Sequence, residues 1–295
     1  MQYILQTEGL TKKYGNKVVV NNVSINIAKG DIYGFIGNNG AGKTSFMKMV
    51  LGLTFPTSGS IKLFDGADIQ ESRRKIGSLV ETPSLYGSIT ARENLKTYCV
   101  EFGFDDSCID ELLKLVSLDN VEKLPVRKFS LGMKQRLGIA IAMLNEPEFM
   151  ILDEPVNGLD PKGIKEIREL VLKLNQEKGV TFLISSHLLD ELGKIATRYG
   201  IISGGYLKEE LTAQTLADHC YDSYSIKTTD NEKALESLHN VYPEVEIEIK
   251  DDTIIFKSIE FGAADLSKVI SDNGAYIIEI RESGIKPEDY FIERM

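Results

Sequence analysis

The sequence predicts an α/β fold, a mainly parallel sheet covered by helices and joined to an antiparallel β layer, followed by a small α+β domain. Three observations predict it. The apolar run Ile32-Tyr33-Gly34-Phe35-Ile36 leads through a glycine-rich loop into a helical pattern from about 43 to 51. Two more apolar strands, 149–152 and 180–184, are each followed by a helical pattern, 163–177 and 188–196, and this alternation implies parallel pairing. Near Asp222 the order changes to strand–helix–strand–strand–helix–strand, that of a ferredoxin-like unit.

In chain order, residues 3–6, 17–20 and 23–27 read as short strands of the antiparallel layer, and Gly30-Asp31 turns the chain into the strand at 32–36. Between about 83 and 144 the pattern is helical. Residues 91–102, 109–116 and 131–144 carry apolar side chains at three- and four-residue spacing, which makes this stretch a helical insertion. After the two strand–helix units, strands at 199–203 and 206–209 close on Gly204-Gly205, a hairpin signal. The tail reads as strands at 224–228, 245–250, 253–257 and 275–281, helices at 231–238 and 263–272, and a last helix at 287–294. Val245, Ile247 and Ile249 alternate with Glu246, Glu248 and Lys250, so one face of that strand is expected to be buried. Two domains are expected, 1–220 and 222–295.

Composition narrows the function. With 42% hydrophobic and 26% charged residues, the chain has the balance of a globular protein with a real core. No apolar run reaches the roughly 20 residues of a membrane-spanning helix. The start, Met1-Gln2-Tyr3-Ile4-Leu5-Gln6, lacks the basic head and apolar middle of a signal peptide, so any membrane crossing is expected of another chain. A net charge of −10 argues against nucleic acid as a partner, because phosphate neutralisation needs clustered Lys and Arg. The nearest cluster, Arg73-Arg74-Lys75, reads as a solvated helix face. Cys99, Cys108 and Cys220 have no metal-ligand spacing and read as thiols in a reducing cytoplasm, and the three histidines suggest no metal site.

The chemistry sits in four short segments. Gly37-Asn38-Asn39-Gly40-Ala41-Gly42-Lys43-Thr44-Ser45 fits a phosphate loop: its glycines let backbone N–H groups turn toward phosphate oxygens, and the following helix points its positive end at the same anion. Lys43 supplies charge to the terminal phosphates, and the Thr44 hydroxyl suits Mg²⁺. Asp153 and Glu154 end the apolar strand after Phe149, where ligands of open α/β sheets gather. Two adjacent carboxylates there call for a cation or a chain of water. Phe129-Ser130-Leu131-Gly132-Met133-Lys134-Gln135-Arg136 puts a serine and a glycine N–H at a predicted helix start, and His187 follows the run Thr181 to Ser186.

In this order, the four segments resemble the ATP-binding subunits of ABC transporters, with a phosphate-loop core of RecA type, over residues 1 to about 220. The resemblance implies ATP hydrolysis with Mg²⁺, held through Thr44 and Asp153, with Glu154 polarising the attacking water and His187 aligning it. It implies that Tyr14 stacks on adenine, and that Ser130, Gly132 and Asp160 serve ATP bound to a second cassette in a head-to-tail dimer. The signature departs from Leu-Ser-Gly-Gly-Gln by its leucine and methionine. Glu81 stands where most of the family has a glutamine that approaches Mg²⁺; the resemblance implies Glu81 as a third metal ligand, and glutamate there is typical of the subgroup exporting bacitracin and lantibiotics. The partners implied are a separate membrane permease and a second cassette, at the cytoplasmic face of a bacterial membrane. Leu85 and Tyr86 are candidates for the permease contact. Other cargoes, and a soluble ABC ATPase without transport, are the alternatives.

Overall fold

The computed structural model describes residues 2–121, 123–187, 189–220, 222–258 and 260–295. Its amino-terminal layer contains β1 (Tyr3–Tyr14), β2 (Lys17–Val23) and β3 (Asn26–Ala28). The continuously buried β4 (Ile32–Ile36) and the helix α1 (Lys43–Val50) follow, then β5 (Ser58–Leu63), α2 (Ile69–Arg74) and β6 (Ile76–Leu79). The helical insertion comprises α3 (Ala91–Phe102), α4 (Ile109–Leu115) and α5 (Leu131–Ala142). Next come β7 (Phe149–Asp153), α6 (Pro161–Lys178), β8 (Thr181–Ser186), α7 (Leu189–Gly193), β9 (Arg198–Ser203) and β10 (Tyr206–Thr212). The expected start of α7 at Leu188 lies outside the described residues.

Six strands make the main sheet, in the order β10-β9-β4-β8-β7-β6, parallel except for the last hairpin strand β10. Every residue of β4, β7 and β8 is buried, as expected of strands covered on both faces. The antiparallel layer pairs β1 with β2, β3 and β5. Phe46, Met47, Met49 and Val50 of α1 share one apolar core with Leu5, Leu10, Val20, Ile25 and Ile27 of that layer and with Phe35 and Ile151 of the sheet.

Local chemistry sets the helix ends. Thr90 and Glu93 form a reciprocal capping box on α3, Asp68 caps α2 through the Gln70 and Glu71 N–H groups, and Asp160 with Pro161 starts α6. Arg73 departs from the reading of its cluster as a solvated face. It donates to the carbonyls of Val50 (3.1 Å) and Met49 (3.4 Å), satisfying the carboxyl end of α1. Arg74 and Lys75 remain exposed, Lys75 paired with Glu148.

The chain divides into two units, Met1–Ala213 with Arg294–Met295, and Gln214–Glu293. The division falls ahead of residue 220 because 213–219 form a helix, α8 (Ala213–His219), with Leu216 buried. The second unit continues with β11 (Asp222–Thr228), α9 (Asn231–Val241), β12 (Ile247–Lys250), β13 (Thr253–Phe256), α10 (Ala263–Asp272), β14 (Ile277–Gly284) and α11 (Pro287–Ile292). Its antiparallel sheet has the order β12-β13-β11-β14, and Ile226, Leu238, Ile254, Phe256, Leu266 and Ile270 form its core. Ile249 differs from expectation: although its alternation points it inward, it is exposed because β12 is an edge strand.

Gly77 on β6 marks a close approach: a β-carbon there would lie 2.3 Å from the Ala142 carbonyl oxygen at the end of α5. Gly77→Ala is therefore expected to destabilise the protein by about 1–3 kcal/mol, measured by urea unfolding. An unchanged midpoint would show that the helix end yields freely.

Candidate nucleotide-binding site

The loop after β4 is shaped by glycine. Gly42 has φ 112°, and a β-carbon on it would meet the Val19 carbonyl at 2.4 Å. A β-carbon on Gly37 would meet the Ile202 carbonyl at 2.3 Å. The turn between β9 and β10 backs the same loop, since Gly205 N–H donates to Ala41 O (3.1 Å) and Asn21 N–H donates to Gly205 O (2.8 Å). Asn38, Asn39 and Gly40 form the exposed tip, Gly37, Ala41 and Gly42 are buried, and Thr44 and Ser45 are half-buried in the first turn of α1. No side chain caps α1 and no acidic residue lies in its first turn, so its amino end keeps its positive character for an anion.

Lys43 is only 5% exposed. Its Nζ donates to Gly37 O (2.5 Å) and Asn38 O (3.3 Å) and lies 3.3 Å from Glu154 Oε1. That last approach is an ion pair outside hydrogen-bond geometry, which leaves Glu154 Oε1 buried without a hydrogen bond. Thr44 Oγ1 donates to Asp153 Oδ2 (2.6 Å), and Ser185 Oγ donates to Asp153 Oδ1 (2.5 Å). His187 Nδ1 lies 2.7 Å from Glu154 Oε2. The carboxyl ends of β4, β7 and β8 thus bring together the phosphate loop, both carboxylates and the histidine. A hydroxyl beside a carboxylate, both hard oxygen donors, fits a small dication such as Mg²⁺. Glu154 Oε1, paired with the Lys43 charge but accepting no hydrogen bond, keeps its acceptor capacity.

Other residues fall elsewhere. Glu81, at φ 64°, places its carboxylate 2.6 Å from Lys48 Nζ, one helical turn beyond Thr44, rather than on the Thr44–Asp153 pair. Tyr14 ends β1 with its ring half-exposed and Lys12 Nζ 4.8 Å from the ring centre. Ser130 caps α5 by accepting from Met133 N–H (3.2 Å), and Asp160 caps α6 by accepting from Gly163 N–H (3.0 Å). Leu131 approaches Gly158 and Leu159 approaches Gly132, so these two helix starts adjoin. Among the described residues, no hydrogen bond or ion pair joins Ser130, Gly132 or Asp160 to the phosphate loop.

A groove of about 420 Å³ opens beside Glu81, lined among others by Leu79, Pro83, Tyr98, Phe102 and Phe104. Tyr98 and Phe102 stack at 6.0 Å, and the half-exposed Tyr86 lies 6.4 Å from Tyr98. Sequence reasoning passes over two polar contacts, Lys48 and Ser185. Lys48 carries a signal in its four-residue spacing from Thr44, and Ser185 carries one as a hydroxyl at the end of an apolar strand.

Comparisons with known proteins agree on one family. The ABC transporter family model matches residues 20–157. The chain is 40% identical to the bacitracin transport ATP-binding protein BcrA of Enterococcus faecalis, over 99% of this chain and 96% of that protein. It is 48% identical to the lantibiotic transport ATP-binding protein SrtF of Streptococcus pyogenes, over 68% of this chain and 88% of that one. A solved ATP-binding cassette, a dimer in a post-hydrolysis state bound to ADP and Pi, matches with a TM-score of 0.63 at 25% identity, over 71% of this chain and 98% of that one.

Gly42→Ala tests the loop geometry. Positive-φ strain of about 1–3 kcal/mol, added to the clash with Val19, is expected to weaken ATP binding about tenfold or more in equilibrium dialysis and to lower the thermal midpoint by a few degrees. Unchanged affinity would mean that the loop tolerates a side chain where its backbone is tightest.

Proposed function

Given that the chain belongs to the ABC transporter family as an ATP-binding, ATP-hydrolysing subunit, we propose that it powers export of antimicrobial peptides of bacitracin or lantibiotic type through a separate membrane permease. The carrying observation is that the likeness to a bacitracin transport subunit runs through both units of the chain. Glu81, in place of the family's usual glutamine, supports the same reading. No helix among the described residues is long and apolar enough to cross a membrane; the permease of this reading is a separate chain. The subunit then works at the cytoplasmic face, bound through that permease.

In this reading residues 37–45 bind the phosphates and Tyr14 the adenine. Lys43 turns its charge to the terminal phosphates. Thr44 and, mostly through water, Asp153 would hold Mg²⁺, with Glu81 as a further oxygen donor were it to leave Lys48. Bound Mg²⁺ neutralises charge on the transferred phosphoryl group. Glu154 takes a proton from the attacking water, and His187, already on its carboxylate, aligns the pair. Ser130, Gly132 and Asp160 complete the site of a second copy, so two chains close head to tail on two nucleotides. The groove beside Glu81, with Tyr86 next to its lining residue Tyr98, receives the permease, and Leu85 is the second contact candidate.

Affinity purification of the tagged chain from native cells in mild detergent, with mass spectrometry, tests the proposal. A multi-span permease, followed by bacitracin or lantibiotic hypersensitivity on deletion, is the expected result. A permease with unchanged sensitivity would assign another cargo; ribosomal or DNA-associated proteins alone would overturn the transport role.

Two variants probe the roles. Glu154→Gln is expected to retain ATP binding, slow turnover by about 10²-fold or more and accumulate dimers in light scattering. Full activity would mean that another group is the base. Leu85→Ala with Tyr86→Ala is expected to abolish stimulation of the ATPase by the permease while sparing its basal rate. Unchanged stimulation would put the contact elsewhere.

A further inference from the structure

We propose that Ser185 is a positioning residue for Glu154, and that its hydroxyl fixes the direction in which the general base projects. The inference rests on the reading above that Glu154 acts on water. Ser185 is fully buried at the penultimate position of β8, in parallel register with Asp153 of β7. One step later the chain leaves that register, because Glu154 adopts φ 50°, a left-handed conformation rare for a residue with a long side chain. Its N–H points toward β8. The Ser185 hydroxyl holds it there, accepting from Glu154 N–H at 2.9 Å while donating its own proton to Asp153 Oδ1 at 2.5 Å.

The direction of both bonds is forced. The peptide N–H can only donate, so the hydroxyl accepts from it, and the hydroxyl proton remains for the carboxylate. Asp153 is held on its other oxygen by Thr44 Oγ1, so the chain Thr44–Asp153–Ser185–Glu154 N–H runs unbroken from the phosphate helix to the base. Two residues along the same strand end, His187 holds the Glu154 carboxylate at 2.7 Å. The end of β8 therefore grips Glu154 twice, by its backbone through Ser185 and by its carboxylate through His187. Removing the backbone grip leaves the left-handed turn without the bond that offsets its strain, and the carboxylate is free to swing off the line of attack.

The test is steady-state ATPase of the full chain as Ser185→Ala, Ser185→Thr and Ser185→Cys, with affinity for a fluorescent ATP analogue measured in parallel. Ser185→Ala is expected to lower kcat about 10- to 100-fold, with KM and analogue affinity within about threefold of the parent. Threonine keeps the hydroxyl and is expected to recover most of that rate, whereas cysteine, a weak donor of similar size, is expected to recover little. In a Glu154→Gln background, Ser185→Ala is expected to add no further loss, since the group it aims is already disabled.

A kcat for Ser185→Ala within twofold of the parent would overturn the proposal. So would a loss expressed mainly in KM and affinity, which would assign Ser185 to nucleotide binding. If alanine fails to fold, equal rates for threonine and cysteine would overturn it in the same way. An active Glu154→Gln single variant would instead defeat the assignment of Glu154 as base, whatever Ser185 does.

Discussion

Ionic groups withdrawn from water are the constraint around which the first unit is built. Asp153 and Lys43 are nearly inaccessible, and Glu154 is largely so. Unpaired charges in such surroundings cost several kcal/mol each, so they persist only where partners converge on them. The partners come from widely separated stretches of chain: carbonyls of the phosphate loop for Lys43, hydroxyls of α1 and β8 for Asp153, an imidazole after β8 for Glu154. A parallel sheet whose central strands all finish at one edge is what lets those stretches meet.

The second set of functional residues follows a different logic. Ser130 and Asp160 are exposed helix caps, each satisfied by an N–H three residues ahead. Nothing about them is strained or costly within one chain. Residues whose local chemistry is complete, yet which stay exposed beside each other, suit a surface that meets another molecule. The phosphate-loop cluster, by contrast, is organised inward. The division between buried ionic chemistry and exposed caps matches the division of labour proposed between a chain and its copy.

Much of the architecture was legible in the sequence, and the reasons are specific. β4, β7 and β8 announce themselves as unbroken apolar runs because both faces are covered, and α3 shows its buried side in three- and four-residue apolar spacing. β1 runs to Tyr14 rather than stopping at Gln6, because its second half is held by pairing with β2 and β5 rather than by apolar alternation. β5 was silent for the same reason, with three exposed residues leading it. At the site, the phosphate loop, Asp153, Glu154 and His187 were readable as motifs. Ser185 and the Lys48 partner of Glu81 were not, since each matters through a neighbour distant in sequence. Arg73 misled because composition reports charge and not direction, and its guanidinium turns inward to helix carbonyls.

The backing of the phosphate loop by the Gly205 turn also bears on how the protein is made. The loop's letters leave the ribosome early, but the carbonyl of Ile202 that limits Gly37 and the N–H of Gly205 that holds Ala41 come far later. Both sheet partners of β4 also lie beyond the helical insertion. A nascent chain therefore carries the glycine-rich motif through most of its synthesis without the framework that gives it shape. Such long-range pairing is slow to form and leaves apolar strands uncovered meanwhile. The ability to hold a nucleotide is thus one of the last properties the first unit acquires, after the hairpin of β9 and β10 has left the exit tunnel.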